Sequence, residues 1–311
     1  MPRHHLSIVI PSRRGPIEPA LHRLLHEQLP AQTFQDFEVH VVVGDNRQGR
    51  AINEGARRAS GHLLSTMDDD VELGDSLVLE SLVGLLDSDP SVGMTGASCP
   101  IPADATPFQR AALRQIPRRY FPVVREVTDS DMVQHGCLAM RRDLFFKIGG
   151  EDEDLVRGLD PIIRTRVRAL GLRVVIVPNT WFYHRPPATA AGLLRMYFRN
   201  GRGSAFAARH FPDRVFELGD GSQGGRFKEH RPLGYRVARR VWRTARALLQ
   251  GEWVRLSADL SYSAGFVAEF LNHEAPPAPR PRSVHLERRI GDRIHIWRSA
   301  LLAPAPAGSI L

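Results

Sequence analysis

Leu63-Leu64-Ser65-Thr66-Met67-Asp68-Asp69-Asp70 is a short apolar run that ends on three carboxylates. Ionised carboxylates are costly to bury unpaired, so the triplet marks the end of a strand and not a core segment. Two readings suit it. One is a solvated acidic turn. The other is a site for a divalent cation, which relieves the mutual repulsion and, with hard oxygen ligands, fits Mg²⁺ or Mn²⁺. Position favours the cation. The triplet closes the third of three strand-like runs in an α/β pattern, and such sheets gather ligands at the carboxyl ends of their strands.

The first of those runs, Leu6 to Ile10, is stopped by Pro11, and Ser12-Arg13-Arg14 reads as a loop. Leu21, Leu24, Leu25 and Leu29 then recur at helical spacing. Phe37 to Val43 is the second run, β-branched and continuous enough for the middle of a parallel sheet. A short helix is expected from Arg50 to Ala59, and Gly61 opens the run into the triplet. Beyond it, a helix ending over Ser81 to Leu86 and a strand over Val92 to Ala97 continue the alternation expected of βαβ units.

The stretch from Pro100 to Asp131 reads as an irregular surface excursion. Regular structure resumes with a strand over Val133 to Met140, a helix over Arg142 to Ile148, a helix from Asp160 to Leu170 capped by Gly171, and a strand over Arg173 to Val177. Helices rich in arginine and aromatics run from Ala188 to about Leu271. Pro276 to Pro281 is a linker, and Ile294-His295-Ile296-Trp297 alternates like a strand. The expected organisation is a catalytic α/β domain over 1–212, a basic helical region over 213–275, and a linker and tail over 276–311.

The chain has 311 residues, 42% hydrophobic and 24% charged, with a formal net charge of +8 and a pI of about 10.2. That composition is globular, and the charge favours an anionic partner. The two cysteines, Cys99 and Cys137, lack metal-ligand spacing and suit a reducing compartment. No segment approaches the ~20 apolar residues of a spanning helix, so the expected location is cytoplasmic, with peripheral contact at the inner face of the membrane open to it. No G-x-G-x-x-G follows the first strand and no G-x-x-x-x-G-K pattern occurs, which argues against a dinucleotide-binding dehydrogenase or a P-loop NTPase.

Taken in order, these residues resemble the inverting nucleotide-sugar glycosyltransferases of the GT-A fold, of the family 2 type that includes exopolysaccharide and cell-wall sugar transferases. The likeness runs through Ser7-Ile8-Val9-Ile10-Pro11, Leu21-His22-Arg23-Leu24-Leu25 and Ala31 to Val39. It continues through Asp45, Gly49-Arg50-Ala51, Asn53, Gly55, Ala59 and Gly61 to the aspartate triplet, and covers about residues 5 to 212. It implies a mostly parallel central sheet flanked by helices, with a nucleoside-diphosphate sugar of UDP, GDP or dTDP type as donor and a saccharide or lipid-linked acceptor.

The resemblance also assigns roles. Asp70 would hold Mg²⁺ or Mn²⁺ against the diphosphate, with Asp68 near the ribose and Asp69 between them. Pro11, Asp45 and Arg50 belong to the donor site, Asp45 as the carboxylate that reads base and ribose; an Asx-turn is its alternative. Gly44 stands where many members have another Asp. In Gly158-Leu159-Asp160, with Arg166 and Gly171 beyond, Asp160 matches the general base, and Leu159 replaces the usual Glu. Capping of a helix is the alternative for Asp160. Gly150-Glu151-Asp152 is a competing match for the family's Glu-Asp pair, but its distance from Gly171 favours Asp160, and the run Glu151-Asp152-Glu153-Asp154 is expected to be a solvated loop, with Asp152 near the acceptor. His184 matches a metal- or diphosphate-binding histidine. Arg199 and Arg202, in Arg199-Asn200-Gly201-Arg202-Gly203, match a loop that clamps the leaving diphosphate, and His135-Gly136 falls where the acceptor pocket begins.

Between Arg226 and Arg246 there are eight Lys or Arg against one acid, Glu229. Val237, Val241, Ala245 and Leu248 line one helical face and arginines fill much of the rest. That pattern suits either an element lying on an anionic membrane or a helix packed on the catalytic domain with its basic face in water. Nucleic acid is not expected, because no recognition motif accompanies the charge. Two further classes stay open: a metal-dependent nucleotidyltransferase, against which no Gly-rich, Lys-containing phosphate loop follows the first strand, and a non-catalytic homologue that binds a nucleotide sugar or a membrane.

Overall fold

The computed structural model describes residues 4–116, 118–216, 227, 229–272 and 282–301. In chain order the elements are β1 (Leu6–Ser12), α1 (Pro19–Arg23, wound on as a wider turn over Leu24–Gln28), β2 (Phe37–Val43), α2 (Gln48–Arg58), β3 (Leu63–Met67), β4 (Val71–Leu73) and α3 (Val78–Ser88). They continue as β5 (Val92–Ser98), α4 (Pro107–Gln115), β6 (Thr128–Asp129), β7 (Cys137–Arg141), α5 (Arg142–Lys147), α6 (Leu159–Ala169), β8 (Arg173–His184) and α7 (Ala190–His210). Last come α8 (Leu233–Leu249), α9 (Trp253–Phe270), β9 (Arg282–Ile290) and β10 (Ile294–Leu301).

All ten strands form one sheet in the order β4-β8-β5-β7-β3-β1-β2-β10-β9, with β6 on β8. β1, β2, β3 and β10 run parallel, as do β5 and β8, while β7 runs antiparallel between β3 and β5. Helices cover both faces because successive side chains of a strand point opposite ways. Ile8 and Ile10 of β1 pack with α1 and α3, whereas Val9 packs with Ile52 and Ala56 of α2 and, farther out, Val167 of α6.

Several sequence expectations are corrected. The stretch from Pro100 to Asp131 contains α4, whose start is a capping box: Thr106 accepts from the Gln109 backbone, and the Gln109 side chain accepts from the Thr106 backbone. The strand expected over 133–140 begins only at Cys137, and that expected over 173–177 runs on to His184. The stretch 276–311 supplies more than a tail. β10 lies parallel along the outer edge of β2, pairing Ile294 with Val39 through Arg298 with Val43. An unpaired edge strand invites such cover. Ile296 is buried in the core, and the Trp297 indole N–H donates to His40 Nδ1 at 3.0 Å. The linker expected over Pro276 to Pro281 lies outside the described residues.

The helical region builds onto α7. Its crossing with α9 is set by glycine: a Cβ on Gly201 would lie 1.9 Å from the Tyr262 carbonyl oxygen, and one on Gly265 2.0 Å from that of Phe198. Backbone meets backbone there, so no larger residue fits without parting the helices.

The orientation of α8 matches neither sequence expectation. Leu233, Val237, Val241, Trp242, Leu248 and Leu249 are exposed, whereas Arg236, Arg239, Arg240 and Arg243 turn inward and are half-buried. The basic face is enclosed and the apolar face is in the open. Among the described residues no helix is long and apolar enough to cross a membrane.

Candidate active site

The aspartate triplet follows β3 at the carboxyl end of the sheet. The β1–β3 register, Val9 beside Thr66, carries on to set Asp69 near Ser12, whose hydrogen bond partly offsets a pKa raised by burial. Gln48, at the start of α2, donates to Asp68 Oδ1 at 2.8 Å. The chain then turns straight into β4, which pairs antiparallel with the end of β8 so that Val71 faces His184. This pairing brings together residues more than a hundred positions apart. His184 Nε2 lies 3.3 Å from Asp70 Oδ1, and ligand atoms of Asp68, Asp70 and His184 all lie within 4.8 Å of one another.

The charges of this cluster suit a shared cation. Burial pushes Asp68 up to about 6, with Asp70 and Asp160 adding to the rise and His184 opposing it. Burial acts most strongly on Asp70, to raise it, but the His184 hydrogen bond and charge, with smaller help from a backbone hydrogen bond and Arg119, together hold that carboxyl below its ordinary range. Two carboxylates and an imidazole converging at this distance fit a divalent cation of the Mg²⁺ or Mn²⁺ kind.

On the other side of Asp68 stands the antiparallel strand β7. Its lead-in carries His135, whose Nδ1 is 3.0 Å from Thr66 Oγ1 and whose Nε2 is 3.2 Å from Glu151 Oε1. The His135 backbone N–H donates to Asp160 Oδ1 at 2.9 Å, which fixes the carboxylate in the first turn of α6. Asp160 keeps 35% of its side chain exposed, so it can meet a ligand. A Cβ on Gly136 would sit 2.5 Å from the Phe182 ring, so only glycine lets β7 enter this close to β8.

The acidic run Glu151-Asp152-Glu153-Asp154 is solvated only in its second half, Glu153 and Asp154. Glu151 and Asp152 are buried. Asn53 of α2 exchanges hydrogen bonds with the Glu151 backbone at 2.8 and 3.0 Å, Arg166 donates to the Gly150 carbonyl, and Arg214 pairs with Asp152 at 2.8 Å. Glu151 faces His135 beneath Asp160. The acid missing at Leu159 is thus absent from that position, while a different carboxylate stands buried close by.

Asp45 is enclosed as well. Its Oδ1 accepts from the Arg47 backbone at 2.8 Å and from Arg50 at 3.1 Å, and its Oδ2 lies 3.3 Å from Arg282 and 3.4 Å from Ser299 Oγ in the C-terminal hairpin. Both the Asx-turn and an ion-pair cluster are present. Pro11, the second residue from the C-terminal end of β1, is half-buried and sits beside Val42 of β2.

Arg199 and Arg202 are placed elsewhere. Arg199-Asn200-Gly201-Arg202-Gly203 lies inside α7 and is not a loop; Arg199 is exposed, and Arg202 pairs with Glu269 of α9 at 2.7 Å. Gly201 of that motif serves the α7–α9 crossing, while Gly203 faces the Arg157 side chain.

A cavity of about 430 Å³ joins the remaining parts, with Asp68, His184, His135 and Asp160 on its wall. Arg119 also lines it, hydrogen-bonded to Tyr197 at 3.1 Å and close enough to Asp70 and His184 to influence both. Arg119, Gln48, Arg157 and the α8 arginines carried no sequence signal toward the site. Arg118-Arg119 lies in an aperiodic stretch, and Arg118 adopts a positive φ of 64° while pairing with Asp131.

This sheet, with its acid-x-acid turn at the crevice and helices on both faces, is the GT-A fold. Residues 24–149 match the family model for glycosyl transferase family 2. A mannosyltransferase from Pyrobaculum calidifontis, solved in complex with GDP-Man and Mn²⁺, superposes with a TM-score of 0.55 at 16% sequence identity, covering 88% of each chain. An O-antigen biosynthesis protein of Myxococcus xanthus is 26% identical over 228 residues, which are 59% of this chain and 17% of the relative. The chain therefore spans about a sixth of that relative's length.

Proposed function

We propose that this chain is a metal-dependent, inverting glycosyltransferase that moves a sugar from a nucleoside-diphosphate sugar to an acceptor hydroxyl on a surface-polysaccharide or glycolipid intermediate. The observation that carries this reading is the convergence of Asp68, Asp70 and His184 with Asp160 on one cavity. The family 2 match and the GT-A fold support it, as do the GDP-Man and Mn²⁺ bound by the mannosyltransferase and the O-antigen role of the Myxococcus xanthus relative.

Asp68, Asp70 and His184 would hold the cation, which supplies stabilisation of the charge developing on the departing nucleoside diphosphate. Pro11, Arg50 and Asp69 border the donor, with Asp45 anchoring Arg50. Arg119 takes the place of Arg199 and Arg202 as the arginine beside the diphosphate. Asp160 accepts the proton of the acceptor hydroxyl as it attacks the anomeric carbon from the face opposite the leaving group.

Calorimetric titration of UDP, GDP and dTDP with and without Mn²⁺ tests the donor half. One nucleotide is expected to bind in a Mn²⁺-dependent way, and Asp70→Ala should weaken that binding by about tenfold or more. Failure of all three nucleotides to bind well-folded protein would sink the reading.

The membrane contact is reassigned from charge to apolar surface. Val241, Trp242, Leu249 and Trp253 are each more than half exposed, and apolar groups displayed together on α8 and α9 suit the headgroup–acyl boundary of a bilayer. Sedimentation with phosphatidylglycerol vesicles is expected to retain the protein in ~0.5 M salt, where purely electrostatic attraction is largely screened. Complete release at that salt would restore the electrostatic view.

A further inference from the structure

Beyond Asp160 the cavity changes character. Nine arginines line it against four aspartates, namely Asp68, Asp131, Asp160 and Asp259. Some of this charge is answered within the protein: Asp131 pairs with Arg118 and Arg164, Asp259 with Arg240, and Asp152 and Asp154 with Arg214. Arg157, Arg236 and Arg243 each enclose a guanidinium nitrogen, Nη1 of Arg157 and Nε of the other two, that lacks a hydrogen-bond partner. A buried donor without an acceptor is destabilising, and a guanidinium fork fits phosphate in two-point contact.

Arg236 and Arg243 line the cavity from α8, whereas Asp68 and His184 line it from the ends of β3 and β8, and Arg157 lies within electrostatic reach of Asp160. The charges that act on Asp68 are His184, Asp70, His135 and Asp160, whereas those that act on Arg243 are Asp259, Arg240, Arg239 and Arg255. Burial, reinforced by the neighbouring arginines, pushes Arg243 down to about 10 in spite of Asp259. Asp160 lines the same cavity and is felt both at Asp68 and at Arg157.

We infer that the cationic lining, built on Arg157, Arg236 and Arg243, binds a phosphate or diphosphate group of the acceptor. This rests on the glycosyltransferase reading and deepens it: the acceptor is a phosphate-bearing saccharide whose reacting hydroxyl reaches Asp160 while its anionic group lies under α8. A single carboxylate leaves most of this charge unanswered, which is why phosphate chemistry is favoured. The inward basic face of α8 is thereby explained as a binding surface, with its apolar face left for the bilayer.

Inorganic pyrophosphate in EDTA is the first probe, since chelation silences the metal site. Calorimetry on the full chain should show saturable binding, unchanged in Asp70→Ala and weakened about tenfold or more in the double variant Arg236→Gln/Arg243→Gln. Arg246→Gln, on the same helix but exposed, should behave like wild type. Absence of binding, or loss in Asp70→Ala with the arginine variant unaffected, overturns the inference. Mn²⁺-dependent nucleotide binding in the double variant separates this from the parent reading, because it persists when only the anion site is lost. A thermal melt guards against misfolding, with Arg243→Lys as the milder second variant, expected to bind pyrophosphate more weakly than wild type. Phosphatidylcholine vesicles with and without a lipid diphosphate then distinguish the source. Arginine-dependent retention by the doped vesicles identifies a lipid-borne group, and competition by soluble phosphosugar alone identifies a soluble one.

Discussion

Asp160→Asn is expected to lower sugar transfer by about a thousandfold or more while leaving Mn²⁺-dependent nucleotide binding close to that of wild type. The substitution is nearly isosteric. Its retained Oδ1 can still accept the His135 backbone N–H, the 2.9 Å bond that holds this side chain at the head of α6. What it removes is the basicity needed to take the acceptor proton. A pure capping role predicts the opposite pattern: a modest fall in stability of about 1 kcal/mol and activity near normal. Single-turnover transfer, followed with saturating donor so that binding does not enter, separates the two. The anomeric configuration of the residual product, read by proton NMR, is expected to be inverted, and a retained configuration removes Asp160 from the role of base altogether.

How much of this could be read beforehand depended on range. The aspartate triplet was legible because a strand and its carboxyl-end turn are local features, and the apolar runs that form β1, β2 and β3 announce buried parallel strands. His184 was legible only by resemblance; what brings it to Asp70 is the β4–β8 pairing, which no local pattern encodes. The acidic run at 151–154 reads as solvated by default, and that default fails at Glu151 because Asn53 and His135, both distant in sequence, supply partners. Arg199-Asn200-Gly201-Arg202-Gly203 resembles a phosphate loop, but Gly201 is there to let α7 and α9 touch. Periodicity in α8 shows two faces without saying which points inward. The usual apolar-in assumption gives the wrong answer when the enclosed space is an anion-binding cavity and not a core.

The His135–Glu151 contact should make the fold lose stability at alkaline pH. Burial alone disfavours the charged imidazole, but the facing Glu151, helped by Asp160 and Asp68, raises its pKa from the ordinary 6.5 to about 9. A folded-state pKa above the unfolded one contributes stability that is complete below 6.5, declines as only the unfolded chain gives up its proton, and is gone once pH has risen through about 9. The interval corresponds to about 3 kcal/mol. Glu38 has the opposite sign. Although burial works against its charge, hydrogen bonds from His40, Ser60 and Ser7 hold its carboxyl well below the usual range. Its contribution is present above 4.5 and lost as pH falls, so it does not overlap the alkaline limb. Urea midpoints at pH 6, 7.5 and 9.5 should therefore fall steeply for wild type and much less for His135→Gln, which keeps the backbone donor to Asp160 but cannot carry the charge. Parallel curves for the two proteins would show that the imidazole is neutral in the folded state and that Glu151 is held by something else. If the slopes differ as expected, a buried cation stands directly behind Asp160, where it stabilises the carboxylate before proton transfer and moderates its basicity.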